Sequence, residues 1–560
     1  MRNAYSKIAT HCILSALVVA VCYLAFGYYG AYMPWGRVDP IVALHYINYA
    51  NPDFFSIGSW AYDAIRPLNL WPYLVITKSP FHGGMVWYSY KTVLVALAGL
   101  GIYFFIYELL QRKHILFPAL VGLLYVVNPI SGWEKINQVL LVSQFSAACI
   151  FLSYYFFLLS DRTGKKLYKI FTVAIAFVLN MIGFLMYEVA GLLSAGIVLL
   201  LFIRNRGKSA EQRNTTYYYL VVPAIVFCYK VFFMIYGAEL TKKFNLHSSL
   251  KKSTLLLDPV ALFEKLISGY KTAFVVWGDA YRNIPREVIP YINYSVILIC
   301  CLVAAVCFIS GKQIINRRET VGVHSRFYLQ SILVGLFFSF LGYVPLLVAS
   351  HYSLNYPSRM HDYATPGICV VIVSLAMLLG QGAGKWFKMA AICMVSVLIV
   401  IGTSSYHIMS RTLAKKGVTE YGFWADLASQ APSFKNDTVI IVNGYPENSF
   451  SPDTKSYYCN LILLGLYSNP SLKMMLFDNG DEYAYSGANF TIKSRFPLSG
   501  TLGGGEKMPT RDEFKSSGYG GMATQFTQLY YLTELERMDL LPPENEYLID
   551  LTPVIVPVCD

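Results

Sequence analysis

This sequence predicts a polytopic α-helical membrane protein of about 11 transmembrane helices, followed by a small α/β or α+β extracytoplasmic domain. Three observations carry that expectation. Of 560 residues, 55% are hydrophobic and only 14% charged, with a mean hydropathy of +0.46, whereas soluble domains carry about 25% charged residues. Apolar runs about 19 residues long, enough to span a bilayer as helix, recur along the first 406 positions. Beyond them the chain turns to short β-branched and Gly-rich stretches.

The first run follows Arg2 and Lys7, extends from about Ile8 to Tyr32, and has no small-residue cleavage site behind it. It reads as a first span entering from the cytoplasm rather than a signal peptide. The full set lies near 9–31, 88–109, 115–131, 138–160, 170–187, 189–203, 216–236, 292–310, 327–349, 366–383 and 388–406. The fifth and sixth are separated only by Tyr187 and Glu188.

The net charge of +12 is explained by topology rather than by nucleic acid. Basic clusters "QRKH" (111–114), "DRTGKKLYK" (161–169), "RNRGK" (204–208), "NRRE" (316–319) and "GKWFK" (384–388) alternate with the Lys/Arg-poor loops "WEKINQ" (133–138) and "YE" (187–188). The positive-inside rule then places the N-terminus in the cytoplasm and the C-terminus outside. In a bacterium this is a multi-pass protein of the inner (cytoplasmic) membrane with a periplasmic C-terminal domain. The expected division is 1–406 for the membrane part, with large external loops 32–87 and 237–291, and 407–560 for the external domain.

In that domain "DTVIIVNGYP" (Asp437 to Pro446) reads as a buried strand closing on a turn, and Tyr457 to Asn469 as a helix packed on it. Nine of 11 cysteines fall in the expected spans. The other two, Cys459 and Cys559, are expected to bridge in an oxidising compartment. No P-loop, no GxGxxG after a strand and no Cys/His zinc spacing occurs.

The chemistry-bearing residues cluster on the external side. The first loop holds Asp39, Asp53 and Asp63 with Arg37, Arg66, Lys78, His45 and His82, among aromatics that include Trp60 and Tyr62. Aromatics at a membrane face also serve as interfacial anchors. Carboxylate, guanidinium and ring together nonetheless suit a sugar joined to a phosphate. The ring packs on the sugar, the forked Arg takes the phosphate, and the acid accepts a hydroxyl proton. Asp39 follows the first span closely, and Asp63 competes for the base role unless it pairs with Arg66.

A second constellation, "YPSRMHDYATPG" (Tyr356 to Gly367), puts Arg359, His361 and Asp362 just before the tenth span. Arg359 suits a lipid phosphate, while His361 and Asp362 could orient one another. Glu188 sits at the outer face, and Lys91, near the outer end of the second span, could snorkel or meet a phosphate. Glu134 and Lys135 are expected to pair in their short loop, and Asn128-Pro129 to stop a helix.

This layout, with "IRPLNLWPYL" at 65–74 and "YPSRMHDYATP" at 356–366, resembles the C-type membrane glycosyltransferases. It is similar to transmembrane mannosyltransferases and to bacterial serotype-converting O-antigen glucosyltransferases. The resemblance implies a polyprenyl-phosphate-linked sugar donor, a glycan or lipopolysaccharide acceptor and no nucleic acid. It casts Asp39 as base or metal-facing acid and Arg66 and Arg359 as phosphate holders. Many members carry two adjacent acids in the first loop where this chain has an isolated Asp39, so the base stays open between Asp39 and Asp63. Some relatives need a divalent cation, Mg or Mn, and others none; no protein metal ligand is assigned. Inverting hexosyl transfer is the implied reaction. A polysaccharide polymerase or ligase, and a lipid or glycan transporter, are the rival expectations.

Overall fold

Helices form where the apolar runs stand. The computed structural model describes residues 2–29, 66, 68–77, 84–112, 114–136, 141–162, 165–187, 190–205, 258–288, 321–347, 353–381 and 385–430, isolated positions between 221 and 229, and six short strands between 438 and 559. The chain divides into two units: Met1–Ala31 with Pro52–Arg411, and Tyr32–Asn51 with Thr412–Asp560.

In the first unit α1 (Arg2–Cys22) runs into a π-helical turn, Tyr23–Gly27. There follow α2 (Trp71–Thr77), α3 (Gly84–Leu109), α4 (Leu116–Val127), α5 (Gly132–Ile136), α6 (Leu141–Ser160), α7 (Lys166–Met186) and α8 (Ala190–Asn205). Then come α9 (Pro259–Val288), α10 (Val321–Leu347), α11 (Thr365–Leu379) and α12 (Lys385–Gln430).

Among the described residues six helical segments are long and apolar enough to cross a membrane: Ile8–Gly27, Tyr88–Leu109, Leu141–Ser160, Lys166–Met186, Ser325–Leu347 and Trp386–Ala414. Three shorter apolar segments, Leu116–Ser131, Ala190–Asn205 and Thr365–Leu379, occupy other expected spans. The expected span near 292–310, and most of that near 216–236, lie outside the described residues.

Helix α4 has only 12 residues and every one is buried. At about 1.5 Å per residue it cannot cross a hydrocarbon core of about 30 Å. A helix apolar on all sides belongs inside a bundle, and this one ends at the expected Asn128-Pro129 stop. The break at Tyr187 is also present: α7 ends at Met186 and Tyr187 is extended. The last expected span does not stop near 406, because α12 continues without interruption to Gln430. No proline interrupts "SRTLAKKGVTEYGFWADLASQ".

Small residues let the backbones approach. A Cβ on Gly367 would stand 2.4 Å from the Gly335 carbonyl oxygen, and one on Gly402 2.1 Å from that of Val127. The π-turn that ends α1 leaves carbonyls exposed to neighbours. His407 Nδ1 donates to Leu24 O at 2.9 Å and Ser410 Oγ to Ala25 O at 2.7 Å, which ties α12 to the π-turn at the end of α1.

The bundle has two chemically different ends. At the end bearing "QRKH" and "DRTGKK", buried Glu108 receives Arg112 at 2.6 Å and Arg162 at 3.2 Å. That pairing locks the turn after α3 to the turn after α6. The opposite end gathers the C-termini of α4, α7 and α10 and the N-termini of α3, α6 and α11. Helix α9 packs there on one face, where Tyr270 bonds Ser339 at 2.8 Å and Lys265 Nζ donates to Leu346 O at 2.6 Å. Its other face exposes Val260, Phe263, Ile267, Phe274 and Tyr281. An apolar stripe on an otherwise polar helix suits the boundary between lipid and water.

In the second unit β1 (Thr438–Val442) stands where the strand was expected. Strands β2 (Lys473–Leu476), β5 (Gln528–Leu532) and β6 (Pro557–Cys559) join it in the order β2-β1-β5-β6, parallel except for the β5–β6 pair. Strands β3 (Glu482–Ser486) and β4 (Asn489–Lys493) form an antiparallel pair. The expected helix at 457–469 and Cys459 lie outside the described residues, as does the side chain of Cys559.

Candidate functional site

Two sequence signals that looked separate meet at one end of the bundle. Asn128 turns the chain out of α4 in extended conformation, and its side-chain oxygen accepts from Ile130 N at 3.1 Å, capping a 3₁₀ turn over Pro129–Ser131. Gly132 then takes φ +54°, a left-handed conformation beside Pro357 where a side chain would be strained. Ser358 N donates to Ile130 O at 2.9 Å. This bond docks the second constellation onto the 128–136 turn. The loop starts at the surface, where Tyr356 is exposed, and then turns inward, so that His361 and Asp362 are buried.

Asp362 is the hub. Its Oδ1 accepts from Ser131 Oγ at 2.5 Å, and its Oδ2 accepts from Ser143 Oγ at 3.0 Å and Gln144 Nε2 at 3.2 Å. Buried Lys91 and Lys135 both lie within its electrostatic reach. Lys135 Nζ donates to Tyr125 O at 2.8 Å and stands 5.1 Å and 5.7 Å from the Tyr125 and Tyr406 ring centroids. Lys135, expected to pair with Glu134, therefore points inward; the Glu134 side chain lies outside the described residues. Lys91 does not snorkel either, because its side chain is fully enclosed. Packing on α3's inner face outweighs the reach of its stem toward water.

Beside the hub, aromatic rings form a column. Tyr363 and Tyr187 stack at 5.4 Å with 4° between planes, and the Arg66 guanidinium sits 4.6 Å from the Tyr187 centroid. The Arg66 segment is held to α7 by Leu68 N donating to Leu185 O at 3.4 Å. Arg66, Lys91, Lys135 and Asp362 thus gather at one end of the bundle. Among the described residues of this cluster Asp362 is the one carboxylate.

His361 and Asp362 do not orient one another. His361 Nε2 lies 3.2 Å from Tyr356 O and Nδ1 2.8 Å from Tyr343 Oη. Burial pushes its pKa down to about 4, so the ring is neutral at pH 7. A carbonyl can only accept, so Nε2 carries the proton and Nδ1 accepts from the tyrosine. Both nitrogens are engaged in holding the loop. Arg359 begins the 3₁₀ turn Arg359–His361, with its side chain outside the described residues. Asp39, Trp60, Tyr62, Asp63 and Glu188 lie outside them too.

Ser131, Ser143 and Gln144 were not singled out from sequence, and Lys135 only as a partner for Glu134. The usable signal was the Asn-Pro stop inside an apolar run only a few residues before Lys135.

Burial pushes the Lys135 pKa down to about 8. The ammonium is therefore mostly charged at pH 7 and discharges within reach of ordinary assays. Anion affinity at this site should fall as pH rises through about 8. Titrating inorganic phosphate binding from pH 7 to 9 checks it, and Lys135→Arg should carry the falling limb to higher pH.

No protein-family model and no curated protein matches this chain. Among solved structures it is similar to the crystal structure of ArnT from Cupriavidus metallidurans bound to undecaprenyl phosphate. That likeness has a TM-score of 0.41 and 12% identity over 97% of each chain. The apo form of the same protein gives 0.40 with the same identity and coverage.

Among the described residues no group of three or more His, Cys, Asp or Glu side chains gathers as a metal site. The described cluster is richer in cations than in carboxylates, which suits an anion.

Proposed function

We propose that this chain is a membrane glycosyltransferase. It moves a hexose, glucose in the first instance, from a polyprenyl-phosphate donor to an extracytoplasmic glycan such as O-antigen. The single observation that carries the reading is the gathering of Lys91 and Lys135 around the buried Asp362 carboxylate, with Arg66 on the adjoining Tyr187–Tyr363 stack, at the end of a bundle of apolar helices. A phosphate whose tail lies in lipid needs that combination of charge and depth.

Lys91 and Arg66 hold the donor phosphate, joined by Arg359. The Tyr187–Tyr363 column offers a face for the sugar. Asp362 accepts hydrogen bonds and balances charge, so it acts as a positioning residue. The base is Asp39 or Asp63. It takes the acceptor hydroxyl proton while that oxygen attacks the anomeric carbon, and the carbon–phosphate oxygen bond breaks. Cations already in place stabilise the departing phosphate. One displacement of this kind inverts the anomeric centre. If Mg or Mn takes part, first-loop acids would hold it; loss of transfer in EDTA, restored by added Mg, would reveal that dependence.

Purified protein in vesicles with polyprenyl-phosphate glucose should yield glucosylated acceptor. Asp39→Asn and Asp63→Asn tested separately should leave one variant slower by about 10²-fold or more, the usual scale of a lost general base. Full activity in both would remove the acid from the mechanism and favour a polymerase or ligase. A transporter would instead move lipid-linked sugar without forming product. The buried charges Lys91 and Glu108 stand at opposite ends of α3, which does not make a conduction path.

A further inference from the structure

A cavity runs between the helices toward the basic end of the bundle. It encloses about 330 Å³ between α3, α8, α10 and α11, lined by Phe105, Leu109, Ile197 and Val334, with Arg204 and Gln330 contributing polar groups. Such a volume is at the lower end of the roughly 300–1,000 Å³ of ligand pockets. Along α3 the distance from Lys91 to Leu109 is about 27 Å at about 1.5 Å per residue. The cavity runs from Pro366 and Gly367, four and five positions after Asp362, to Arg204 at the far end of α8, so its cationic end, not its whole length, lies in the leaflet opposite the cluster. Its flanks face lipid: Ile203 is 60% exposed on α8 and Leu333 67% on α10.

We propose that this cavity holds one acyl chain of an anionic phospholipid, with the headgroup phosphate on the Arg204 guanidinium. Charge complementarity selects that occupant. Leu193, Ile197, Leu200 and Arg204 follow one another on a single stripe of α8, so the apolar slot ends in a cation at the basic end of the bundle. A planar guanidinium fork matches phosphate, and Arg112 and Arg162 at the same end of the bundle favour net-negative headgroups. A zwitterionic lipid brings an ammonium into that basic field. A prenyl tail brings no anion to Arg204. The inference needs only the membrane topology and is independent of the transferase reading.

The test reconstitutes the full chain in phosphatidylcholine nanodiscs with and without phosphatidylglycerol and reads the unfolding temperature. Phosphatidylglycerol should raise it, and both Arg204→Gln and Val334→Trp, which fills the slot, should lose the increment. Native mass spectrometry should show phosphatidylglycerol retained over phosphatidylcholine by the unmodified chain, a readout that stands even if a variant fails to fold. No shift with phosphatidylglycerol, or an equal shift in Arg204→Gln, would overturn the proposal. So would an Arg204-dependent shift produced by undecaprenyl phosphate but not by phosphatidylglycerol, because the slot would then hold donor tail.

Discussion

Lys91→Met should lower transfer by about 10²–10³-fold, the scale seen when one preorganised donor to a developing anion is removed. The protein should remain as stable as before. Lys91 is enclosed on α3 among apolar neighbours, within reach of Asp362 and Lys135. Methionine keeps the length and the apolar stem while discarding the charge. Lys135 still faces the Asp362 carboxylate in this variant, so removing Lys91 leaves that buried charge compensated, unlike removal of the carboxylate itself. A residue that only supports the fold would show the reverse, with stability and activity falling together. The decisive comparison is kcat against unfolding temperature in the same detergent. A variant with unchanged kcat would remove Lys91 from the phosphate site.

Asp362→Asn should be the most damaging single change to stability among the described residues of the cluster. The carboxylate accepts from Ser131, Ser143 and Gln144 and faces two buried lysines. Removing one partner of a buried charge pair costs about 3–5 kcal/mol, because the remaining charge stays desolvated. The asparagine also turns an NH₂ toward groups that were donating. If the loss is electrostatic, Lys91→Met in the same chain should restore part of it, and a double-mutant cycle on unfolding temperature or denaturant midpoint measures that coupling. Strict additivity would mean that Asp362 acts through its hydrogen bonds alone.

How much of this was legible beforehand depends on range along the chain. Hydropathy is a local property, so the runs that became α1, α3, α6, α7, α10 and α12 could be read from windows about 19 residues long. The Asn128-Pro129 stop, the break at Tyr187 and the β-branched strand at 438–442 are equally local signals. The inward turn of Lys91 and Lys135 is not local. Either side chain can reach water from a helix end, and only the packing of neighbouring helices decides against it. His361 and Asp362 were visible as a polar pair, but their partners Tyr343, Ser131, Ser143 and Gln144 stand between 18 and 231 positions away.

From residue order alone came the membrane character, the alternation of basic and neutral loops, and the short list of external acids and arginines. These depend on composition within a few turns of helix. Which of the charged groups share a pocket depended on the Ser358–Ile130 bond and on the glycine contacts that draw α11 against α10 and α12 against α4. Contacts that close long loops leave no local trace, because their energy appears only when distant segments are already packed.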